Sequence, residues 1–66
     1  MRVHYDQAAD ALYLRLNESP IKDSEEVRPG LVVDFDANDQ VVGIELRRVS
    51  IQAPSANLKE ISVQVA

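Results

Sequence analysis

Two aspartates and a histidine near the N-terminus are the residues best suited to acid–base chemistry. Asp6 and Asp10 flank residues 7–9, and His4 is the single histidine of the chain. Two carboxylates can serve as acid and base or bind a cation, but a working site needs a further ligand, nucleophile or histidine beside them. The structural alternative is that Asp6 caps one helical turn near 7–10 and that His4 is a surface or interface residue. The sequence favours this alternative, so it predicts no catalytic residue and no enzyme activity.

A second set of polar residues resembles a calcium-binding loop in its spacing. Asp34, Asp36, Asn38 and Glu45 occupy the first, third, fifth and twelfth positions of the helix–loop–helix calcium motif. The sixth position of that loop requires glycine for a sharp turn, and here it is Asp39. The flanking residues also alternate with a period of two, whereas the motif needs a helix on each side. We therefore reject this calcium site and expect no metal ligands.

Length and composition exclude several other kinds of site. The chain has 66 residues, no cysteine and one histidine, which excludes disulfides, iron–sulfur clusters, thiolate zinc sites and a multi-histidine zinc site within one chain. The formal net charge of −4 disfavours direct binding to nucleic acid, which normally requires a basic stripe. No apolar run approaches the roughly 20 residues that cross a membrane, and the N-terminus lacks the layout of a signal peptide. We expect a cytoplasmic protein without a cofactor that binds neither nucleic acid nor membranes.

The elements that position these residues are predicted to be strands, because branched aliphatic side chains recur with a period of two. The predicted strands cover residues 2–6, 11–16, 21–27, 31–35 and 41–46. Acidic residues interrupt the third strand, and Gly43 in the fifth indicates a bulge or a close approach of the backbone. The predicted fold is mainly β, at most a β-rich α+β arrangement. It is a small curled antiparallel sheet of five to six strands built from hairpins.

The last third of the chain permits two predictions. Ile61, Val63 and Val65 alternate with polar residues, which favours a sixth strand. The alternative is a helical segment near 55–60, reaching residue 62 at most, with Ser55 as its N-cap. In both cases residues 1–66 are expected to form a single domain.

Four segments together resemble a known protein family. They are Tyr5-Asp6-x-x-x-Asp10-Ala11-Leu12-Tyr13-Leu14, Glu25-Glu26-Val27, Gly30-Leu31-Val32-Val33-Asp34 and Val42-Gly43-Ile44-Glu45-Leu46. The combination resembles domain of unknown function 2283 (DUF2283), a family of small, mainly bacterial proteins. The resemblance implies a family-like core at 1–50 and a C-terminal extension at 51–66. It implies no activity, although some members are thought to be encoded beside a second small protein in toxin–antitoxin-like pairs.

Protein binding is the function that these observations favour. A small acidic β domain with open strand edges can pair with itself, as a homodimer, or with a small partner protein by strand addition. A homodimer would also bury apolar area that a monomer of this size leaves in water. The candidate interface residues are Ile21, Val27, Ile61, Val63 and Val65.

Two other functions remain open from the sequence. An antitoxin-like neutraliser would cover a basic protein with the acidic surface of Asp23, Glu25 and Glu26. A small enzyme or ligand-binding protein would need Asp6, Asp10 and His4 to converge in a cleft between two copies.

Overall fold

The computed structural model describes residues 1–66, which form five strands and one short helix. The strands are β1 (Arg2–Asp6), β2 (Ala11–Arg15), β3 (Asp23–Arg28), β4 (Leu31–Phe35) and β5 (Val41–Arg47), and the helix is α1 (Val49–Gln52). All strand pairs are antiparallel, in a single sheet of order β1–β2–β5–β4–β3. The prediction of a mainly β protein built from hairpins is confirmed. The four-residue α1 is far too short to cross a membrane, and the structure has no other helix.

Tight turns join β1 to β2, β3 to β4 and β4 to β5, because their residues tolerate the required backbone conformations, whereas the loop 16–22 joins β2 to β3. Gly30, between β3 and β4, has a φ of 82°, which glycine adopts without steric cost. Asp10 and Asp39 have φ values of 52° and 63°, a region that short polar side chains visit more readily than most. The predicted turn at 7–10 is present, and within it the Asp10 N–H donates to the Gln7 carbonyl at 3.3 Å. Pairing of β5 with β2 then joins the β1–β2 hairpin to the β3–β4–β5 meander.

The strand register separates apolar from polar side chains. Leu12 and Leu14 of β2 lie opposite Leu46 and Ile44 of β5, and Leu31 of β4 also lies opposite Leu46. Because successive side chains of a strand point to opposite sides of a sheet, these five side chains share one side. We call Leu12, Leu14, Leu31, Ile44 and Leu46 the apolar face. The opposite side, the polar face, carries Tyr13, Arg15, Ser24, Glu26, Asp34, Glu45 and Arg47.

The hydrophobic core of the chain is small. Only Val32, Val42 and Val49 are buried hydrophobic residues. The five members of the apolar face are half-buried. The single apolar layer expected from the alternation is therefore present, but the chain supplies no second layer to pack on it.

The C-terminal segment, residues 53–66, contradicts both predictions for this region. It contains no strand at 61–65 and no helix at 55–60 or 55–62, and only isolated turns follow α1. Alternation shows which side chains would share a face, but a strand also needs an edge within reach to pair with. The chain leaves the sheet at Arg48, whose φ of 53° precedes α1, and the segment then pairs with neither open edge, β1 nor β3.

Candidate interaction surface

The apolar face is continuous across the three inner strands and carries no charged group. Its five side chains line one shallow depression to which no polar residue contributes. Val33 extends the surface on β4, in register with Ile44. A continuous apolar surface of this kind marks an interaction site, because single surface leucines are common whereas large apolar patches are rare on monomers.

Neither α1 nor the C-terminal segment lines the depression that the apolar face forms. The helix is held at the end of the sheet, where the Val49 N–H donates to the Asp10 carbonyl at 3.0 Å. Beyond it, residues 56–59 line a cleft beside Tyr5, on the outer strand β1. The remaining hydrophobic side chains of the segment are exposed: Ile61 by 57%, Val63 by 77% and Val65 by 92%. Residues 56–59 thus approach the sheet from the side of the apolar face, at Tyr5, which is in register with Leu12, but they do not line the depression that the face forms.

The polar face has a buried carboxylate at its centre. Asp34 is 8% exposed and accepts hydrogen bonds from Tyr13 Oη at 2.8 Å and from Ser24 Oγ at 2.6 Å. No buried polar side-chain atom of the structure lacks a hydrogen-bond partner. Since burying an unpaired carboxylate is expensive, these two donors are what allow Asp34 to sit inside the sheet.

Gly43 makes the Tyr13–Asp34 hydrogen bond possible. It lies on β5, between Arg15 of β2 and Asp34 of β4. A Cβ atom at this position would lie 2.8 Å from Asp34 Oδ2 and closer still to Tyr13 Oη. The absence of a side chain therefore lets the tyrosine reach across the middle strand. The sequence indicated a bulge or a close approach at Gly43, and the structure shows a close approach of side chains, with a register shift nearby at Asp34/Phe35.

Arg15 connects Tyr13 to the loop after β2, because its Nη1 donates to Tyr13 Oη at 3.5 Å. Its Nε donates to the Asn17 carbonyl at 2.6 Å and its Nη2 donates to the Ser19 carbonyl at 2.5 Å. Burial and the hydrogen bond to Asp34 raise the pKa of the Tyr13 hydroxyl above its ordinary value of 10.0. Tyr13 therefore remains a hydrogen-bond donor at neutral pH, and it is not an activated nucleophile or base.

Asp10 joins the β1–β2 turn to α1. Its carboxylate accepts from Ser50 Oγ at 2.5 Å, from the Ser50 N–H at 3.1 Å and from Tyr5 Oη at 3.3 Å. The Ser50 hydroxyl is the main reason that the pKa of the Asp10 carboxyl lies below its ordinary value of 3.8, with burial opposing the shift. Burial and the neighbouring Asp10 charge raise the pKa of Tyr5. Tyr5 and Asp10 of the N-terminal sequence signature thus have a structural role, in which Asp10 connects the β1–β2 turn to α1.

Asp6, Asp10 and His4 do not come together in the chain. Asp6 accepts the Ala9 N–H at 3.1 Å, which is the capping role predicted for it. Asp10 is occupied by Ser50 and Tyr5, and His4 is an exposed residue of β1 in register with Tyr13. No three His, Asp or Glu side chains gather at a point that would hold a metal ion.

The residues of the calcium-like spacing are separated by the hairpin. Asp34 is bonded to Tyr13 and Ser24 in the sheet. Asp36 accepts the Asn38 and Gln40 N–H groups at 2.9 Å and 3.0 Å, which closes the β4–β5 turn. On β5, Glu45 accepts from Arg47 Nε at 2.8 Å. Each carboxylate therefore has its own role within the fold.

The predicted interface residues are all exposed hydrophobic side chains. Ile21 and Val27 lie near or on the outer strand β3, and Ile61, Val63 and Val65 lie in the C-terminal segment. The acidic residues Asp23, Glu25 and Glu26 are exposed on β3, where only Glu26 has a basic neighbour, Arg47 at 3.7 Å.

Sequence reasoning missed Ser50 and the Tyr13–Asp34 pair. Ser50 is 40 residues from Asp10, and Asp34 is 21 residues from Tyr13, so no local pattern connects them. Gly43 carried the one usable signal, since a glycine in an otherwise apolar strand indicates that another group approaches the backbone.

Comparison with known proteins places the chain in a family. The model of the family described as "Protein of unknown function (DUF2283)" matches residues 2–50, which include all five strands. Neither the curated proteins nor the solved structures contain a significant match to the chain. The chain therefore belongs to the DUF2283 family of proteins of unknown function.

Proposed function

We propose that this protein is a protein-interaction module that binds through its apolar face and carries out no catalysis itself. The observation that supports this proposal is the uncovered layer of five hydrophobic side chains across β2, β5 and β4. Complete burial of a leucine or isoleucine side chain stabilises by about 1.5–3 kcal/mol. Each member of the face is only half-buried in the single chain, so a partner that covers it gains the remaining part of this free energy.

The shape and chemistry of the face suit a protein better than a small molecule. Small-molecule sites are concave and place a few polar groups among apolar walls. The apolar face is shallow and has no polar group at its centre. Charges appear only at its margin, where Glu25 and Asp23 of β3 lie opposite Val33 and Phe35. An apolar centre with a polar rim is the usual composition of a protein–protein interface.

A second candidate function rests on β3 alone. All six residues of this outer strand are exposed, and three of them, Asp23, Glu25 and Glu26, are acidic. We propose, as the alternative, that this edge covers a small basic protein in the manner of an antitoxin. Such a complex would weaken steeply as salt is added, because its charges are exposed and screened.

Site-specific photo-crosslinking in cells that produce the protein tests whether the apolar face is an interaction surface. A photoreactive phenylalanine analogue at Leu14 lies on the apolar face, and the same analogue at Glu45, in register with Tyr13, lies on the polar face. We expect the probe at Leu14 to give a defined crosslinked protein product and the probe at Glu45 to give much less. Equal products at both positions, or none at Leu14, would refute the proposal.

A third probe position separates the two candidate functions. Glu25 lies on β3, so a probe there reports on the acidic edge. A product from Glu25 that disappears at high salt, with none from Leu14, would support the neutraliser and exclude the apolar face.

A further inference from the structure

We infer that the partner on the apolar face is a second copy of this chain, packed face to face about a two-fold axis. The inference rests on the proposed function and names its partner. It follows from three features of the molecule: the amount of surface left exposed, the distribution of charge and the position of the sheet centre.

The chain exposes far more surface than a compact monomer of its mass. Its accessible surface is 5221 Å², whereas a compact monomer of 7.4 kDa exposes about 4,200 Å². Its radius of gyration is 12.6 Å, against about 11 Å for a compact chain of this length. The excess is roughly 1,000 Å², and a stable interface buries about 800 Å² on each partner. The C-terminal segment, most of whose residues are exposed, accounts for part of this excess. A second copy on the apolar face would cover part of the remainder on both chains at once.

The distribution of charge allows two identical faces to meet. Each chain carries a net charge of −4, but none of the charged side chains belongs to the apolar face. The acidic Asp23 and Glu25 stand at the β3 margin, where they remain in water when the centres pack together. A basic partner would find carboxylates only at the β3 margin of this surface and none at its centre. The face therefore favours a partner that is equally apolar, and an identical face meets that requirement.

The symmetry of such a dimer places Ile44 at the centre of the interface. β5 is the middle strand of the five, and Ile44 is the middle residue of β5. In a two-fold interface each patch meets itself, so residues close to the axis face their own copies. Two packed sheets lie about 10 Å apart, which brings the two Ile44 side chains into contact range.

The test is the mass of the whole protein in solution, measured by light scattering over a range of concentrations. We expect the wild type to show twice the chain mass of 7.4 kDa at micromolar concentration. Ile44→Lys should raise the dissociation constant about 100-fold or more, because two lysine charges would meet in a centre without water. Glu45→Lys is the matched control, since it places the same charge one residue along β5 on the polar face. It should keep the dimer mass.

Two further measurements keep the result interpretable if Ile44→Lys loses its fold. Ile44→Thr retains a β-branched side chain suited to a strand, and circular dichroism should show a folded sheet with dimerisation weakened about tenfold. Mixing Ile44→Lys with Ile44→Glu should restore the dimer mass, since opposite charges then meet across the axis. A rescue of this kind occurs only if the two positions face each other in the assembly.

The outcomes separate this inference from the proposed function. If the wild type remains monomeric at about 100 µM, the inference of a second copy on the apolar face is wrong. It is also wrong if the wild type forms a dimer that neither Ile44→Lys nor Ile44→Thr weakens. In either case a crosslink from Leu14 to a different protein would still uphold the apolar face as an interaction surface. A dimer that Glu45→Lys disrupts as strongly as Ile44→Lys places the contact elsewhere and overturns the inference.

Discussion

The two faces of this sheet differ in how far a single chain satisfies them. The polar face is complete within one chain, because its buried carboxylate Asp34 receives hydrogen bonds from Tyr13 and Ser24. The apolar face is incomplete, because its leucines and isoleucine have no layer above them. Hydrogen bonds can be satisfied by neighbours within a single sheet, whereas burial of apolar area needs a second layer.

A five-stranded sheet with three buried hydrophobic residues has little core of its own. We therefore propose that the stability of the polar face is a property of the chain, and that the stability of the apolar face is a property of the assembly. Variants on the two faces should differ in their dependence on protein concentration, because only dimerisation couples folding to mass action.

Truncation of the apolar face is expected to have the largest effect on stability. Leu14→Ala should lower the free energy of unfolding by about 3 kcal/mol, the value typical of a fully buried leucine. The loss should be accompanied by a free energy of unfolding that depends less strongly on protein concentration, because a weakened dimer contributes less through mass action. Urea unfolding at two concentrations measures both. Leu58→Ala, the matched change in the C-terminal segment, should cost about 1 kcal/mol or less. Equal losses at Leu14 and Leu58 would mean that nothing covers the face.

A side chain at Gly43, on the polar face of β5, should cause the next largest loss of stability. Gly43→Ala would normally stabilise a strand by about 0.5–1 kcal/mol. Here the new Cβ displaces Tyr13 from Asp34, so we expect a loss of about 2 kcal/mol. The loss should shrink in a Tyr13→Phe background, because the Oη atom is then absent, and it should not change the dimer mass. A stabilising Gly43→Ala would contradict the close approach seen at this residue.

Tyr13→Phe alone tests the satisfaction of Asp34. Removing Oη leaves a carboxylate that is 8% exposed with one hydrogen bond fewer, which should cost about 1–2 kcal/mol. Tyr5→Phe is the control, because it removes a longer bond, 3.3 Å, to a carboxylate that Ser50 also holds. Chemical denaturation should show the larger loss for Tyr13→Phe. A larger loss for Tyr5→Phe would mean that the hydrogen bonds of Asp10, and not those of Asp34, contribute more to stability.

The hydrogen bonds between Asp10 and Ser50 should have the smallest effect, which appears as a dependence of stability on pH. The folded pKa of Asp10 lies below its ordinary value of 3.8, so its contribution is fully present above that pH and is lost as the pH falls through the folded pKa. Below pH 4, the melting temperature of the wild type should therefore fall more steeply with decreasing pH than that of Ser50→Ala. Ser50→Ala removes the main cause of the shift while leaving the carboxyl in place. Parallel acid profiles for the two proteins would show that these hydrogen bonds do not contribute.

The sheet was predictable from the sequence because alternation is a local property. The pattern of Leu12 and Leu14, and of Ile44 and Leu46, identified both strands and the side that they share. The same pattern failed at Ile61, Val63 and Val65, where the side chains alternate but no strand edge is paired. Pairing is a property of the whole fold, so periodicity alone cannot supply it.

The contacts between distant residues were not predictable for a related reason. Tyr13 meets Asp34 only because β5 enters between β2 and β4, with a glycine at the crossing point. Ser50 meets Asp10 only because the chain turns sharply at Arg48. Each contact depends on strand order or on one backbone angle, which the sequence around either partner does not encode.

Solvent exposure of methyl groups tests the central claim, that the apolar face is covered in the working protein. A soluble paramagnetic agent broadens the NMR signals of methyl groups that water reaches, and the wild-type protein needs no substitution for this measurement. We predict that the methyl groups of Leu14 and Ile44 are protected as strongly as those of Val42 and Val49, which are 0% and 1% exposed within the chain. Those of Val63 and Val65 should be broadened. If Leu14 and Ile44 are broadened to an extent that matches their half-exposed positions in the single chain, the face is bare and the account is wrong.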